Sequence, residues 1–599
     1  MRIHAQGIFR VLLISIVVLA GCSMAPLKPE TTAPGVYEYT KHYTSSLIQK
    51  EMKKHHVMAL SIALVDDQRV VWAEGFGYAD AGNKVLATPE TVYWVGSISK
   101  LFTATAAMQL YEQGKIDIDQ PLQTYLPEFS IKTRFSTAGP ITPRNIMTHH
   151  SGLPSNLYKG MWTKTPEPFT SVVREIKDDY AAYPPNFVFS YSNLAVTLLG
   201  HMVERISGED FVSHVDKSVL RPLGMFHSSF SLQRDGLLAK GYRNSKENDD
   251  PPMRDLPAGG LTSNVLDLSR FMEMVFADGR SGERQILKPE TLAEMLRPQN
   301  SDVVLDLNFR VGLGWILSSV GDIDIQNGGP VTHHSGATLV FHSQLVTLPE
   351  HKLGVVVLSN SSSARSVVNK VASEALKLAL EAKTGIKQPE QEKPAESNSS
   401  LPLSVLQSYE GYYATLLGLA KINMKKDYLQ AEVMDTTFRL VPRSDGLLGL
   451  KYKLLGLVPK SPDGLDLIGI SHATVVGHDI LFARFGNQDL LIGEKISPVS
   501  ISEKWLQRAG AYEAANSGDD TLILDGIRLG YNDGLLIMEC SMPFSADGTM
   551  IFALFPVSDN EAVILGLGGG MGETIRVITV DGKEGLYYSG YQFKKKTEQ

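Results

Sequence analysis

Apolar and polar positions follow two different regimes along this chain. Between 36 and 385, helix-like and strand-like stretches succeed one another through short turns, a mixed α and β pattern. Ala59–Val65 and Gln68–Ala73 read as paired strands joined through the polar Asp66-Asp67. Leu101 to Gln113 reads as a mostly apolar helix that stops at Gly114. Ser366–Lys383 places Val367, Val368, Val371, Ala375, Leu376 and Leu380 at helical spacing, and Gly385 ends it. After 404 the period changes. Short apolar strands alternate with Asp-Gly turns such as Asp445-Gly446, Asp533-Gly534 and Asp581-Gly582, which predicts an antiparallel sandwich or barrel. Leu406-Gln407 before Tyr409 to Tyr413 resembles Leu506-Gln507 before Ala509 to Tyr512, which suggests two similar β modules. The polar run Ile386–Ser400 carries Pro389 and Pro394 and reads as a linker.

Composition narrows the class. The chain has 599 residues, of which 43% are hydrophobic and 20% charged. These are globular values, at a length that suggests about three to five domains. The net charge of −8 argues against a nucleic-acid partner, which leaves a basic footprint. With Cys22 and Cys540 as the two cysteines, neither a disulfide framework nor a Cys-rich zinc site is possible. No H-E-x-x-H or G-x-S-x-G occurs, so no metal and no cofactor are expected, and the α/β-hydrolase elbow is absent.

The N-terminus reads as an address. Arg2 and Arg10 precede an apolar run from Val11 to Ala20, which is too short to span a bilayer. It ends in Leu19-Ala20-Gly21-Cys22, similar to a bacterial lipobox with cleavage before Cys22 and acylation of that residue. The expectation is a membrane partner through a lipid anchor. Localisation would then be the cell envelope, on the periplasmic face of the outer membrane if the source is Gram-negative. Cys540, left without a partner, is expected to be a buried small hydrophobe. The expected organisation is a leader at 1–21, a tether at 22–35, a mixed α and β domain at 36–385 and a linker at 386–403. β modules at 404–500 and 501–599 follow.

Candidate chemistry begins at Ser97-Ile98-Ser99-Lys100, the S-x-x-K of the chain. Ser97 would sit at the start of the helix that follows, where backbone N–H groups favour developing negative charge. Lys100 would share its face and, buried, would lose proton affinity and serve as a base. The bland reading is a capping serine and a solvated lysine. Partner motifs come in pairs: Tyr191-Ser192-Asn193 and Tyr242-Arg243-Asn244, and His150-Ser151-Gly152 and His334-Ser335-Gly336. A literal Lys383-Thr384-Gly385 and Ser558-Asp559-Asn560 also occur, but in the wrong order and context for a class A β-lactamase.

The ordered segments decide between them. Trp94 to Lys100, Ile146 to Leu153, Pro185 to Asn193, Pro222 to Met225, Ala258 to Leu261 and Gly312 to Trp315 resemble, in sequence order, serine hydrolases related to class C β-lactamases, D-Ala-D-Ala carboxypeptidases and D-aminopeptidases. That resemblance implies a β-lactamase/transpeptidase-like α/β (α+β) domain, an antiparallel sheet with helices, over 36–385. The region after it resembles the lipocalin-like antiparallel β-barrel extensions of some relatives. It selects Tyr191 over Tyr242 and makes 150–152 a structural segment. His334, Ser335, Gly336 and Ala337 fall where the family carries K-T-G or H-x-G. Two departures stand out. Asn186 replaces the usual glycine, as a turn residue that tolerates positive φ. His334 replaces the lysine of class C β-lactamases, which turns the expectation away from efficient β-lactam hydrolysis.

The implied mechanism has Ser97 attack a carbonyl, with Lys100 and Tyr191 sharing the proton work and Asn193 orienting Lys100. Nearby cations would lower the Tyr191 pKa. Backbone N–H groups of Ser97 and Ala337 would form the oxyanion hole. His334, or His333 beside it, would meet the leaving-group end, as a cation for a terminal carboxylate or as a neutral hydrogen-bonding group. The expected activity is a penicillin-binding-protein-like D-Ala-D-Ala carboxypeptidase or D-amino-acid peptidase acting on a small-molecule or peptide substrate. The alternatives are a class C-like β-lactamase, a carboxylesterase, or a cell-envelope binding protein with an idle hydrolase domain. The oligomeric state is not legible.

Overall fold

The computed structural model describes residues 28, 33–231, 238–319, 323–389, 394–396, 401–426, 428–434, 436–454, 458–460, 467–521, 524, 526–541 and 549–596. The expected leader at 1–21, Cys22, most of the tether and part of the linker lie outside them.

Helix α1 (Glu38–His55) leads into the hairpin of β1 (Ala59–Asp66) and β2 (Arg69–Asp80). Helices α2 (Ser99–Glu112) and α3 (Asn193–Ser207) follow. Strands β3 (Thr332–Ala337), β4 (His342–Leu348) and β5 (Leu353–Ser359) form a meander, and α4 (Arg365–Thr384) closes the unit. The antiparallel sheet runs β3-β4-β5-β1-β2, with the short strand Val85–Leu86 beside β2. β1 is buried along its whole length because both faces of the sheet are covered. Leu60, Ile62 and Leu64 point toward α1 and α4, meeting Ile48, Val371 and Leu376. Ala59, Ala63 and Val65 point into the larger helical layer with Phe102 and Phe271. This two-sided covering is why β1 reads as a continuous apolar run rather than an alternating one. α2 runs through that layer and is buried on nearly every side, which its all-round apolar character required.

The strand after β3 begins at His342. Thr338 and Phe341 form a tight reciprocal turn: the Thr338 N–H donates to the Phe341 carbonyl, and the Phe341 N–H to the Thr338 hydroxyl. Residues 339–341 are therefore turn, in spite of their strand-like composition.

The C-terminal part is two closed antiparallel barrels. In the first, strands from Gly411–Thr415 through Gln488–Ile496 form a ring that closes where Thr436–Pro442 pairs with Leu448–Leu454. The second runs from Gly510–Ala514 to Tyr591–Lys595, and those two strands pair to close it. Apolar side chains fill both, among them Leu429, Leu440 and Leu481 in the first and Met538, Leu554 and Phe593 in the second. Cys540 is one of these core residues, 2% exposed. The weak sequence repeat is a structural repeat. Each barrel opens with a short helix, Leu403–Ser408 or Glu503–Gln507. The tyrosine hydroxyl of each first strand then donates back four residues, Tyr413 to the Tyr409 carbonyl and Tyr512 to the Arg508 carbonyl, at 2.9 and 2.8 Å. Each last strand sends a lysine to the helix end, Lys495 to the Ser408 carbonyl and Lys595 to the Gln507 carbonyl.

The second barrel shares its core with the first unit. Ala182, Tyr183, Val188 and Leu305 pack into the same apolar cluster as Trp505, Met538 and Ile564. Among the described residues no helix is long and apolar enough to cross a membrane.

Candidate active site

Ser97 lies in a single 3-10 turn, Gly96–Ile98, that feeds directly into α2. The turn is pinned from behind by Ser99, whose hydroxyl donates to the Gly96 carbonyl at 2.6 Å and accepts from the Leu261 N–H at 2.9 Å. The first turn of α2 brings Lys100 back under Ser97. The Lys100 Nζ lies 3.0 Å from the Ser97 Oγ, 2.7 Å from the Asn193 Oδ1 and 2.7 Å from the Ala258 carbonyl. These contacts satisfy three donors on a side chain that is 2% exposed. Burial lowers its pKa to about 7, although the charge of Asp255 pulls the other way. An amine of this kind is partly neutral near pH 7 and can accept a proton from the hydroxyl beside it.

Asn193 opens α3, capped by the Ser192 hydroxyl, which accepts from the Ala195 N–H. Its Nδ2 donates to the Asn156 Oδ1 at 2.8 Å, which fixes which end of the amide faces Lys100. Two residues earlier, the Tyr191 hydroxyl is hydrogen-bonded to Ser97, and its ring centroid is 4.9 Å from the Lys100 Nζ. Desolvation raises the Tyr191 pKa above the ordinary phenol value, with the Ser97 bond opposing it. The lowered pKa expected from nearby cations is therefore replaced by a raised one. Tyr191 is a protonated phenol, able to donate and relay but not a standing base.

His149, just before the structural segment 150–152, stacks on Tyr191 at 4.1 Å between centroids. It adopts φ 60°, and its Nδ1 accepts from the Ser192 N–H at 3.1 Å. Burial holds its pKa well below the usual imidazole value. The ring is thus a neutral wall that keeps the phenol aligned. His150 is buried behind it, its Nε2 2.7 Å from Asp306, and Asp306 also accepts the Phe189 N–H at 2.7 Å. Asn186 takes φ 62°, as its turn required.

β3 is the edge strand and runs past the Ser97 turn. Gly336 permits this approach: a Cβ there would stand 1.9 Å from the Val95 carbonyl oxygen. Gly96, at φ +52°, is crowded in the same way, since its Cβ would meet the Ala337 nitrogen at 2.6 Å. Ala337 and Ser97 line one cavity of about 220 Å3. Backbone N–H groups of these two residues are the pair an oxyanion would meet. His334 points to the Tyr191 side, with ring centroids 6.4 Å apart. Its Nδ1 donates to the Ser335 carbonyl at 2.6 Å, which leaves the Nε2 lone pair as the free end. Burial and the Lys100 charge push its pKa down to about 3, so it is neutral. Ser335 is exposed beside it. His333 alternates to the other side, donates to the Ser318 carbonyl at 2.9 Å and takes no part.

The decoy motifs are elsewhere. Tyr242 accepts from the Ala81 N–H, Lys383 pairs with Asp66 at 2.6 Å, and Ser558 caps a barrel turn. Among the described residues no group of His, Cys, Asp or Glu is arranged to hold a metal ion.

Sequence reasoning missed Asn156, the stacking of His149 on Tyr191 and the hydrogen bonds by which the second barrel meets the site. The glycine-rich stretch Gly566–Gly572, a turn region between two strands of the second barrel, is pressed against the site. Tyr183 donates to the Gly566 carbonyl at 2.9 Å, the Gly570 N–H donates to the Ser155 hydroxyl at 2.6 Å, and Glu573 accepts the Ser155 N–H at 2.8 Å.

Comparison with known proteins identifies the family. The Beta-lactamase family model matches residues 44–378. Protein flp of Staphylococcus aureus (strain MRSA252) is 24% identical over 330 residues, which is 53% of this chain and 62% of that relative. The putative penicillin-binding protein PbpX of Bacillus subtilis (strain 168) is 28% identical over 224 residues, 36% of this chain and 54% of that relative. The chain thus spans less than two thirds of these relatives' length. The octameric penicillin-binding protein homologue from Pyrococcus abyssi superimposes with a TM-score of 0.50 at 27% identity, covering 75% of this chain and 98% of its own. SurE, at 22% identity and a TM-score of 0.52, shares the fold over 76% of this chain and 99% of its own.

Proposed function

This chain belongs to the beta-lactamase family, and from that premise we propose that it is a serine hydrolase acting through a Ser97 acyl-enzyme on amide or ester substrates. The observation that carries the reading is the Lys100 amine 3.0 Å from the Ser97 hydroxyl, with its pKa lowered to about 7. As neutral amine, Lys100 takes the hydroxyl proton while the Ser97 Oγ bonds to the substrate carbonyl carbon. The Ser97 and Ala337 N–H groups hold the oxyanion, a contribution of about 10²–10³ in rate per donor. Tyr191, as protonated phenol, passes a proton from Lys100 toward the departing group. Water then attacks the acyl carbon, gives its proton to the same base, and Ser97 leaves.

The neutral His334 refines the substrate class. It offers a lone pair rather than a positive charge, so it does not attract a terminal carboxylate. This favours a D-amino-acid peptidase or carboxylesterase over a D-Ala-D-Ala carboxypeptidase or class C-like β-lactamase. The relatives named as penicillin-binding proteins support an acyl-enzyme of this kind. Intact mass against time, after a penicillin or an activated ester is added to a chain starting at Ser23, tests the proposal. A lasting penicillin adduct absent from Ser97→Ala marks a penicillin-binding enzyme. A transient adduct with hydrolysed penicillin marks a β-lactamase and removes the weight placed on His334. Ester turnover without a penicillin adduct supports the favoured class. Acylation of Ser97→Ala ends the Ser97 reading.

We also propose attachment to the cell envelope through acylated Cys22, from the lipobox-like Leu19 to Cys22. Labelled fatty acid should enter the full-length chain and not its Cys22→Ser variant.

A further inference from the structure

We propose that the second barrel sets the acyl specificity of the Ser97 site, by clamping residues 155–165 as the wall of a pocket that takes an uncharged, apolar acyl group. This rests on the Ser97 acyl-enzyme reading and names its substrate class more closely.

The cavity beside Ser97 is walled by Tyr158, Met161, Trp162 and Met253, with Asn156 and Asn193 at its polar end. Met161, Trp162 and Met253 pack with Leu339 into a small buried cluster of their own. Thioether and indole surfaces are polarisable and suit apolar groups of irregular shape. Tyr191 and His334 do not line this cavity. They stand where the departing group must receive its proton, so the cavity lies on the acyl side of the scissile bond.

Most of that wall comes from one segment without helix, and the second barrel holds it. The backbone N–H groups of Ser155, Tyr158, Lys159 and Gly160 all donate to atoms of that barrel. Their acceptors are the Glu573 carboxylate, the Ser589 hydroxyl, the Ser589 carbonyl and the Asp520 carboxylate, at 2.8 to 3.1 Å. Asp520 also pairs with the Lys159 ammonium at 3.0 Å, with the aspartate side chain 2% exposed. Asp519 accepts from the Thr163 and Thr165 hydroxyls at 2.7 and 2.9 Å, and the Thr521 N–H donates to the Trp162 carbonyl at 2.8 Å. A buried loop needs such partners for its backbone, and here the catalytic unit supplies only part of them. Asp520 is thus a positioning residue: it touches no substrate, and it acts through the placement of Met161 and Trp162.

In the reaction tested, the Ser97 oxygen bonds to the ester carbonyl, p-nitrophenolate leaves, and water releases the carboxylic acid. Wild type should prefer p-nitrophenyl hexanoate to the acetate in kcat/KM. Asp520→Leu, which removes the acceptor for Gly160 and Lys159, should lower the hexanoate-to-acetate ratio by about tenfold, through the hexanoate KM. Asp520→Asn keeps an acceptor for the Gly160 N–H and should stay within about twofold of wild type. A merely stabilising role would lower both esters together, and that result overturns the proposal. Should Asp520→Leu not fold, Thr163→Val removes an adjacent bond from the other side and should move the ratio in the same direction. Fluorophosphonate labelling separates the two layers. No label on Ser97 overturns the acyl-enzyme reading, whereas a labelled enzyme without hexanoate preference overturns only the pocket.

Discussion

Asn193 donates from its Nδ2 to the Asn156 Oδ1 at 2.8 Å while its own Oδ1 receives the Lys100 amine at 2.7 Å. A loop residue therefore decides which end of the Asn193 amide faces the base. Asn193→Asp would put a negative charge beside Lys100 and raise its pKa. Activity at pH 7 should fall by about tenfold or more and recover toward pH 9, because the charged amine must lose its proton before it can act. The measurement is kcat/KM for an activated ester across that range. An unmoved profile would show that Asn193 does not set the base.

The wild-type profile has its own sign. Lys100 works as a neutral amine, so kcat/KM should rise with pH through about 7, the value to which burial brings it. Tyr191, raised by burial, should add no ionisation below the ordinary phenol range. Tyr191→Phe should then lose about 10²–10⁴ in rate, the usual size of a proton-relay contribution, and keep the same limb near pH 7. Loss of that limb in Tyr191→Phe would assign the base to the phenol instead.

Much of this arrangement was legible in the sequence because it is local. Ser97 and Lys100 are one helical turn apart, and Tyr191 and Asn193 sit at the start of the next functional helix. The i, i+3 spacing brings Ser97 and Lys100 to one helical face, and Tyr191 and Asn193, two apart across the extended N-cap Ser192, share one side of the chain. The repeat of the two barrels was visible in a few residues because Tyr413 and Tyr512 repeat one local hydrogen bond. What was hidden is long-range. Asn156 carries no motif and matters through a partner 37 residues away, and the Gly570–Ser155 bond spans 415 residues. The Tyr191 pKa was misjudged for a similar reason. The neighbouring cation could be inferred from the motif, but the desolvation that outweighs it belongs to the assembled fold.

His334 makes a prediction about carboxylate-bearing substrates. Burial brings its pKa to about 3, so it stays neutral across roughly pH 5 to 8. A protonated histidine would let KM for a penicillin climb as pH rises through its pKa. Here no such climb should be seen. His334→Lys places a cation at that position and should speed acylation by a penicillin by about tenfold, read by intact mass against time. An equal rate in both proteins would place carboxylate recognition elsewhere.

Lys100 also predicts a stability signature. Its pKa is lower in the folded chain than in the unfolded one, about 7 against 10.5. Between those values the unfolded state binds more protons, so wild-type stability gains from this group as pH rises. The cost of burying the amine is complete below about pH 7 and gone above about pH 10. Lys100→Met carries no such term. Its Tm relative to wild type should therefore be highest near pH 6 and fall steadily toward pH 10. A difference constant with pH would mean that the lysine is charged in the folded protein.

The last prediction concerns the barrels as a unit. Ala182, Tyr183, Val188 and Leu305 of the catalytic part are buried against the core of the second barrel. Arg134 reaches Glu561 at 2.8 Å, and Arg576 reaches Asp179 at 2.6 Å across the same boundary. A chain ending at 389 would expose that apolar face and leave the backbone N–H groups of Ser155, Tyr158, Lys159 and Gly160 without their acceptors. Each buried donor left unmatched costs about 1–3 kcal/mol if it stays dry. The loop would relax into water instead, taking Asn156 away from Asn193 and loosening Lys100. The truncated chain should show a lower Tm and lose activity even toward an acetate ester. If acetate turnover survives or rises in the truncated chain, the barrels restrict access rather than complete the site.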